Sequence, residues 1–83
     1  MAGFDAFPAV RDAVAVVCQV EPAGLSAGTR FDDLGADSLA RVSIADVVES
    51  TLAADGHPIP RIDDAVLGRM ADLADLVDYL AIR

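Results

Sequence analysis

The chain has 83 residues, of which 54% are hydrophobic and 24% are charged. These values predict one small globular domain with an aliphatic core and little room for an enclosed active-site pocket. Its formal net charge is −8, with 14 acidic against 6 basic residues, which disfavours nucleic acids and anionic membrane surfaces as partners. The single cysteine, Cys18, excludes an intramolecular disulfide framework and favours a reducing compartment.

The N-terminal residues lack the basic start and the apolar run of a secretory signal. No stretch of the sequence reaches the roughly 20 apolar residues that a membrane-spanning helix requires. We therefore expect a soluble, cytoplasmic, monomeric protein whose residues 1–83 form a single domain.

The first predicted helix falls within residues 4–20, where apolar side chains recur at spacings of three and four: Phe4, Phe7, Val10, Val14 and Val17. Pro8 is tolerated only in a first turn and Asp5 is a suitable cap, so the helix is expected to begin near Asp5 or Ala6. It is expected to end before Pro22, because a residue that precedes proline is disfavoured in the helical conformation.

Residues 21–37 contain many turn-forming residues and no sustained hydrophobic period, which predicts a long loop. Leu25, Phe31 and Leu34 are spaced apolar residues that would hold this loop against the helices. The loop is therefore predicted to be ordered.

A second helix is predicted from Ser38, after Asp37, to the Asp55-Gly56 pair. Its apolar residues form two adjacent stripes, and part of this surface, with Leu39 and Val42, is expected to stay exposed near the start of the helix.

Beyond a rigid connector at residues 56–60, a short helical turn is predicted over residues 62–67, ending at Gly68, with Asp63 and Asp64 as possible caps. A last amphipathic helix is predicted from about Met70 to Ile82. The expected fold is all-α, a four-helix bundle with three longer helices and one short third helix.

The junction of the long loop and the second helix presents a hydroxyl group at a helix start. A helix N-terminus has unpaired N–H groups and the positive end of the helix dipole, so a phosphate attached to Ser38 would be stabilised there. Taken alone, however, Asp37-Ser38 would be interpreted as an ordinary helix cap.

A longer segment around this junction carries a specific resemblance. It reads Phe31-Asp32-Asp33-Leu34-Gly35-Ala36-Asp37-Ser38-Leu39. This segment resembles the phosphopantetheine attachment site of acyl carrier proteins, whose pattern of Phe, two residues, Leu-Gly, one residue and Asp-Ser-Leu it matches throughout. Later segments also resemble the family: Ile59-Pro60, Met70-Ala71-Asp72-Leu73 and Val77-Asp78-Tyr79-Leu80.

The resemblance implies that a phosphopantetheinyl transferase moves 4′-phosphopantetheine from coenzyme A onto Ser38, and that the thiol of this arm carries acyl groups as thioesters. Ser38 would then be modified and not catalytic, and the protein would be no enzyme. Asp37 would support the transfer. The start of the second helix, with Leu39, Arg41 and Val42, would contact partner enzymes, among them acyltransferases and ketosynthases.

The second helix departs from the family pattern at its beginning. Fatty-acid carriers commonly line it with Glu and Asp, whereas Ala40, Arg41 and Ser43 are expected to occupy its exposed start here. Arg41 would pair with the phosphate, with Asp37 or with an acidic partner group, or would be a solvated surface arginine. This departure favours polyketide or related secondary-metabolite synthesis.

Several alternatives stay open. A peptidyl or aminoacyl carrier shares the fold and the modified serine, a fatty-acid carrier shares the cargo, and a helical adaptor would use only Leu39 and Val42. A hydrolase built on Ser38 and His57 is disfavoured because the serine lacks the Gly-x-Ser-x-Gly elbow and its sheet. With His57 as the single histidine, a structural metal site is not expected.

Overall fold

Four α-helices make up the regular structure of a computed structural model that describes residues 5–81. They are α1 (Phe7–Cys18), α2 (Ser38–Ala54), α3 (Asp64–Gly68) and α4 (Leu73–Ala81). The predicted all-α bundle with one short third helix is confirmed. Over residues 5–81 the only strand-like pairing is an isolated bridge between Arg30 and Asp72. Phe4 and Ile82, assigned above to the ends of the first and last helices, lie outside the described residues.

The core lies where α1 packs against α2 and α4. It is built almost entirely from aliphatic side chains that the helical period places on the inner faces: Val10, Val14, Ile44, Val48, Leu52, Leu73, Leu76 and Leu80. Phe31, from the loop between α1 and α2, is fully buried among them. Within residues 5–81, no helix combines the length and the apolar character needed to cross a bilayer.

The first helix, α1, begins at Phe7, just after the expected start, and its N-cap is Ala6 in place of the predicted Asp5. Pro8 lies in the first turn, where its missing N–H removes no intrahelical bond. The carboxylate of Asp5 accepts a hydrogen bond from the N–H of Phe7 at 3.0 Å. The helix ends at Cys18, after which Gln19 adopts the left-handed conformation, with a φ of 57°.

The loop between α1 and α2 is ordered, as predicted. It contains two 3-10 turns, Pro22–Gly24 and Asp32–Leu34, and Phe31 anchors it in the core while Leu25 and Leu34 are partly buried.

The same loop supplies hydrogen-bond acceptors to the first turn of α4. The N–H of Leu73 donates to the carbonyl of Thr29 at 3.0 Å, and that of Ala74 donates to the carbonyl of Ala27 at 2.8 Å. The carboxylate of Asp72 accepts from the N–H of Asp75 at 3.0 Å. The first three N–H groups of α4, which no helical carbonyl can satisfy, are thereby paired.

The segment between α2 and α4 is held by two carboxylates. Glu49 on α2 accepts a hydrogen bond from the N–H of Ile62 at 2.9 Å. Asp63 caps α3 by accepting from the N–H groups of Ala65 at 2.8 Å and Val66 at 3.2 Å. Of the two caps predicted for this helix, Asp63 is confirmed, whereas Asp64 lies within the first turn.

Candidate functional site

The sequence left open whether Asp37-Ser38 is a helix cap or an attachment site, and the structure gives the two residues different positions at the start of α2. Asp37 has an extended backbone, and its Oδ1 accepts a hydrogen bond from the N–H of Ala40 at 2.8 Å, so Asp37 is the cap. Ser38 is the first residue of the helix and is exposed. Because Asp37 makes the cap, the hydroxyl of Ser38 is left at the surface for other chemistry.

The position of Ser38 suits a negatively charged substituent. The N–H groups of Ser38 and Leu39 lie in the first turn of α2, a helix of 17 residues. The backbone bonds of this helix begin later, with the N–H of Arg41, which donates to the carbonyl of Asp37. Unpaired N–H groups and the positive end of the helix dipole stabilise an anion at this point.

A cavity of about 300 Å³ opens beside Ser38, between the first turns of α2 and the short helix α3. Its lining is mostly apolar and consists of Ser38, Leu39, Arg41, Val42, Asp64, Leu67 and Gly68. Leu39 is 74% exposed, which agrees with its predicted place on an exposed surface, whereas Val42 is partly buried. The site therefore combines a surface hydroxyl with an adjoining cleft.

The prediction that Arg41 lies at the exposed start of α2 is wrong, since only 9% of this residue is exposed. Its Nε donates to the carbonyl of Ala36 at 3.3 Å. Its Nη1 lies within hydrogen-bond distance of three further carbonyls, those of Leu67 at 3.2 Å, Gly68 at 3.3 Å and Met70 at 2.7 Å. Arg41 therefore joins the start of α2 to the end of α3.

The charge of Arg41 is stabilised mainly by these carbonyl dipoles and by an aromatic ring. Its guanidinium lies over the ring of Phe31. The carboxylate of Asp32 lies 3.5 Å from Nη2 of Arg41, and because the Asp32 side chain is 81% exposed, this ion pair is weak. Arg41 is thus a structural residue of the site and not the solvated arginine that the sequence allowed.

A different signal in the sequence would have found the buried Arg41. Positions 41, 44, 45, 48 and 52 lie on one face of a helix, and all five are buried. Ala40 and Ser43, expected to be exposed with Arg41, are partly buried. The exposed start of α2 is therefore narrower than predicted and is dominated by Ser38 and Leu39.

Two residues considered from the sequence lie away from the site. His57 follows the C-terminal end of α2, and because this helix of 17 residues is about 25 Å long, it cannot serve as a base for Ser38. Cys18 ends α1, where partial burial raises the pKa of its thiol. Neither residue contributes to the cavity.

These features fit a covalently attached phosphate with a long substituent. Ser38 offers the oxygen for a phosphoester, the first turn of α2 offers N–H groups to the phosphate, and the cleft offers apolar walls beside it. Among protein-family models, the one described as "Phosphopantetheine attachment site" matches residues 8–80. No curated protein and no solved structure matches the chain.

Proposed function

Since the chain belongs to the phosphopantetheine attachment site family, whose members carry 4′-phosphopantetheine covalently, we propose that it is an acyl carrier protein with the arm attached at Ser38. The observation that carries this assignment is the exposed hydroxyl of Ser38 at the first residue of α2, with Asp37 as the cap. The arm supplies a terminal thiol that holds acyl groups as thioesters.

The residues around Ser38 have separate tasks in this proposal. Asp37 fixes the start of α2 and so holds the backbone of Ser38 at the first position of the helix. The N–H groups of Ser38 and Leu39 stabilise the phosphodiester. In the attachment step the Ser38 oxygen forms the new bond to phosphorus, the pyrophosphate bond of coenzyme A breaks, and adenosine 3′,5′-bisphosphate leaves while the hydroxyl proton passes to the transferase.

The surface beside Ser38 is proposed to meet partner enzymes: a phosphopantetheinyl transferase, acyltransferases, ketosynthases and other acyl-processing enzymes. Leu39 and Val42 are its apolar contacts, because one is largely exposed and the other lines the cavity. Arg41, predicted as a third contact, would act by holding this surface in place, since its guanidinium is engaged with backbone carbonyls.

The charge on α2 supports a specialised pathway, polyketide or other secondary-metabolite synthesis, over general fatty-acid synthesis. Its first turn carries no acidic side chain. Further along, Glu49 is directed to the N–H of Ile62, and Asp46 lies 3.9 Å from Arg61. A continuous acidic face for basic partner surfaces is therefore absent from the described part of α2.

The attachment is tested by incubating the protein with coenzyme A and a broad-specificity phosphopantetheinyl transferase. Intact-mass spectrometry should show one added phosphopantetheine on the wild type and none on Ser38→Ala. The matched control is Ser50→Ala, which removes an exposed hydroxyl from the interior of the same helix and should be modified normally. An unmodified wild type would refute the carrier assignment at Ser38.

The cargo is tested separately, with the modified protein as substrate. Loading by acyltransferases, with no loading by amino-acid adenylating enzymes, is expected. Exclusive aminoacylation would instead identify a peptidyl carrier of the same fold, and preferred loading by fatty-acid enzymes would assign the chain to fatty-acid synthesis.

A further inference from the structure

A buried cation lines the cavity beside Ser38. Leu39 and Val42 form one side of the cavity, Leu67 and Gly68 form the other, and Arg41 lies in the lining between α2 and α3. Of the lining residues only Arg41 and Leu67 are buried, at 9% and 1% exposed, so these two lie where the cavity borders the core. A long chain that enters beside Ser38 therefore meets Arg41 and Leu67 at the core side of the cavity.

Arg41 is held in this place from several directions. Its donors reach the carbonyl of Ala36 before α2 and three carbonyls across the cavity, those of Leu67 and Gly68 at the end of α3 and of Met70 just after it. Displacing the guanidinium would break all of these bonds at once. It would also leave a charge and several carbonyls without partners in apolar surroundings, which is strongly unfavourable.

We propose that Arg41 closes the inner end of this cavity and excludes long acyl chains from the helix bundle, so that the carrier holds long cargo at its surface. This inference rests on the proposed attachment of the arm at Ser38. It assigns Arg41 a role in cargo specificity that the attachment itself does not require.

An acyl chain that cannot enter the bundle leaves its thioester as accessible as that of a short cargo. Replacing Arg41 by alanine removes the guanidinium and opens space that continues from Val42 towards Phe31, whose ring it covers. An apolar chain would gain by filling that space, because burial removes its surface from water. The rate of thioester cleavage should therefore depend on the length of the acyl chain only in Arg41→Ala.

The experiment compares acetyl and decanoyl cargo, each transferred with its arm from the corresponding acyl coenzyme A and verified by intact mass. Hydroxylamine then cleaves the thioester: the C–S bond breaks, a C–N bond forms, and the products are the hydroxamic acid and the free thiol, to which the amine proton passes. In the wild type the two cleavage rates should be the same to within about twofold. In Arg41→Ala the decanoyl thioester should be cleaved at least about tenfold more slowly than the acetyl thioester, as expected if at least about nine in ten decanoyl chains are sequestered in the bundle.

Arg61→Ala is the matched control, since it removes an exposed arginine and should behave as the wild type does. If Arg41→Ala fails to fold by circular dichroism, Arg41→Gln, which shortens the side chain but keeps donors, replaces it. Slow cleavage of decanoyl cargo in the wild type would overturn the inference, as would equal rates in a folded Arg41 variant. Absence of any added mass would instead refute the attachment at Ser38, and the inference with it.

Discussion

The guanidinium of Arg41 lies over the ring of Phe31, with its central carbon 4.8 Å from the ring centroid. Because both residues are buried, this cation–π contact should be stronger than an exposed one. A double-mutant cycle with Arg41→Met and Phe31→Leu should give a coupling free energy of about 1–2 kcal/mol in urea unfolding.

The matched cycle uses the other such pair in the described residues, Arg11 over Phe7 at 5.9 Å. Arg11 is only partly buried and also bonds to Asp12, so its coupling should be smaller, about 0.5 kcal/mol or less. Equal couplings in the two cycles would contradict the view that burial strengthens the Arg41 contact.

Gly35 should be the least replaceable glycine of the loop that leads to Ser38. Its φ is 68°, and an added Cβ would meet no atom within 4 Å, so any cost of Gly35→Ala comes from the backbone conformation. We expect the free energy of unfolding to fall by about 1 kcal/mol. Gly24→Ala, equally unhindered but with no positive φ, should change it much less, and a similar loss at both positions would refute the conformational explanation.

Asp37 should stabilise α2 through its cap. Asp37→Ala removes the acceptor for the N–H of Ala40 and should lower the free energy of unfolding by about 0.5–2 kcal/mol, measured by urea denaturation. Asp37→Asn retains an oxygen at this position and should lose little of that stability. If asparagine were as damaging as alanine, the charge of Asp37, and not its hydrogen bond, would be the stabilising element.

Cys18 should be alkylated slowly near neutral pH, and its alkylation rate should keep rising with pH up to the raised pKa of the thiol. Partial burial disfavours the thiolate and raises the pKa of this thiol, so the reactive form is scarce near neutral pH. Iodoacetamide labelling followed by mass spectrometry should be faster in urea than in the folded protein at every pH below that raised value. In the modified protein the thiol of the arm should be labelled first, and equally fast labelling of Cys18 would contradict this prediction.

The sequence predicted the ends of α2 well because both depend on local chemistry, the cap at Asp37 and the Asp55-Gly56 stop. Asp63 was correctly predicted as a cap of α3, but α3 begins two residues and α4 three residues later than expected. These signals act within a few residues, through the orphan N–H and C=O groups at helix ends.

The environment of Arg41 was mispredicted because its partners are distant in sequence. Two of the carbonyls it contacts, those of Leu67 and Met70, lie 26 and 29 residues further along the chain. Charged residues are usually exposed, so a single arginine near a helix start is first interpreted as a surface residue. The cavity could not be predicted for the same reason, since it exists only where α3 meets α2.

The hydrogen bonds that the first turn of α4 donates to the carbonyls of Ala27 and Thr29 couple two distant parts of the chain during folding. A helix of nine residues is marginal by itself, and the first two N–H groups of α4 lack these acceptors until the loop has docked. The loop and α4 should therefore form and unfold as one cooperative unit. Extra residues inserted between Ala27 and Phe31 would unravel the C-terminal helix as well as the loop, whereas insertions near Gly24 would leave it intact.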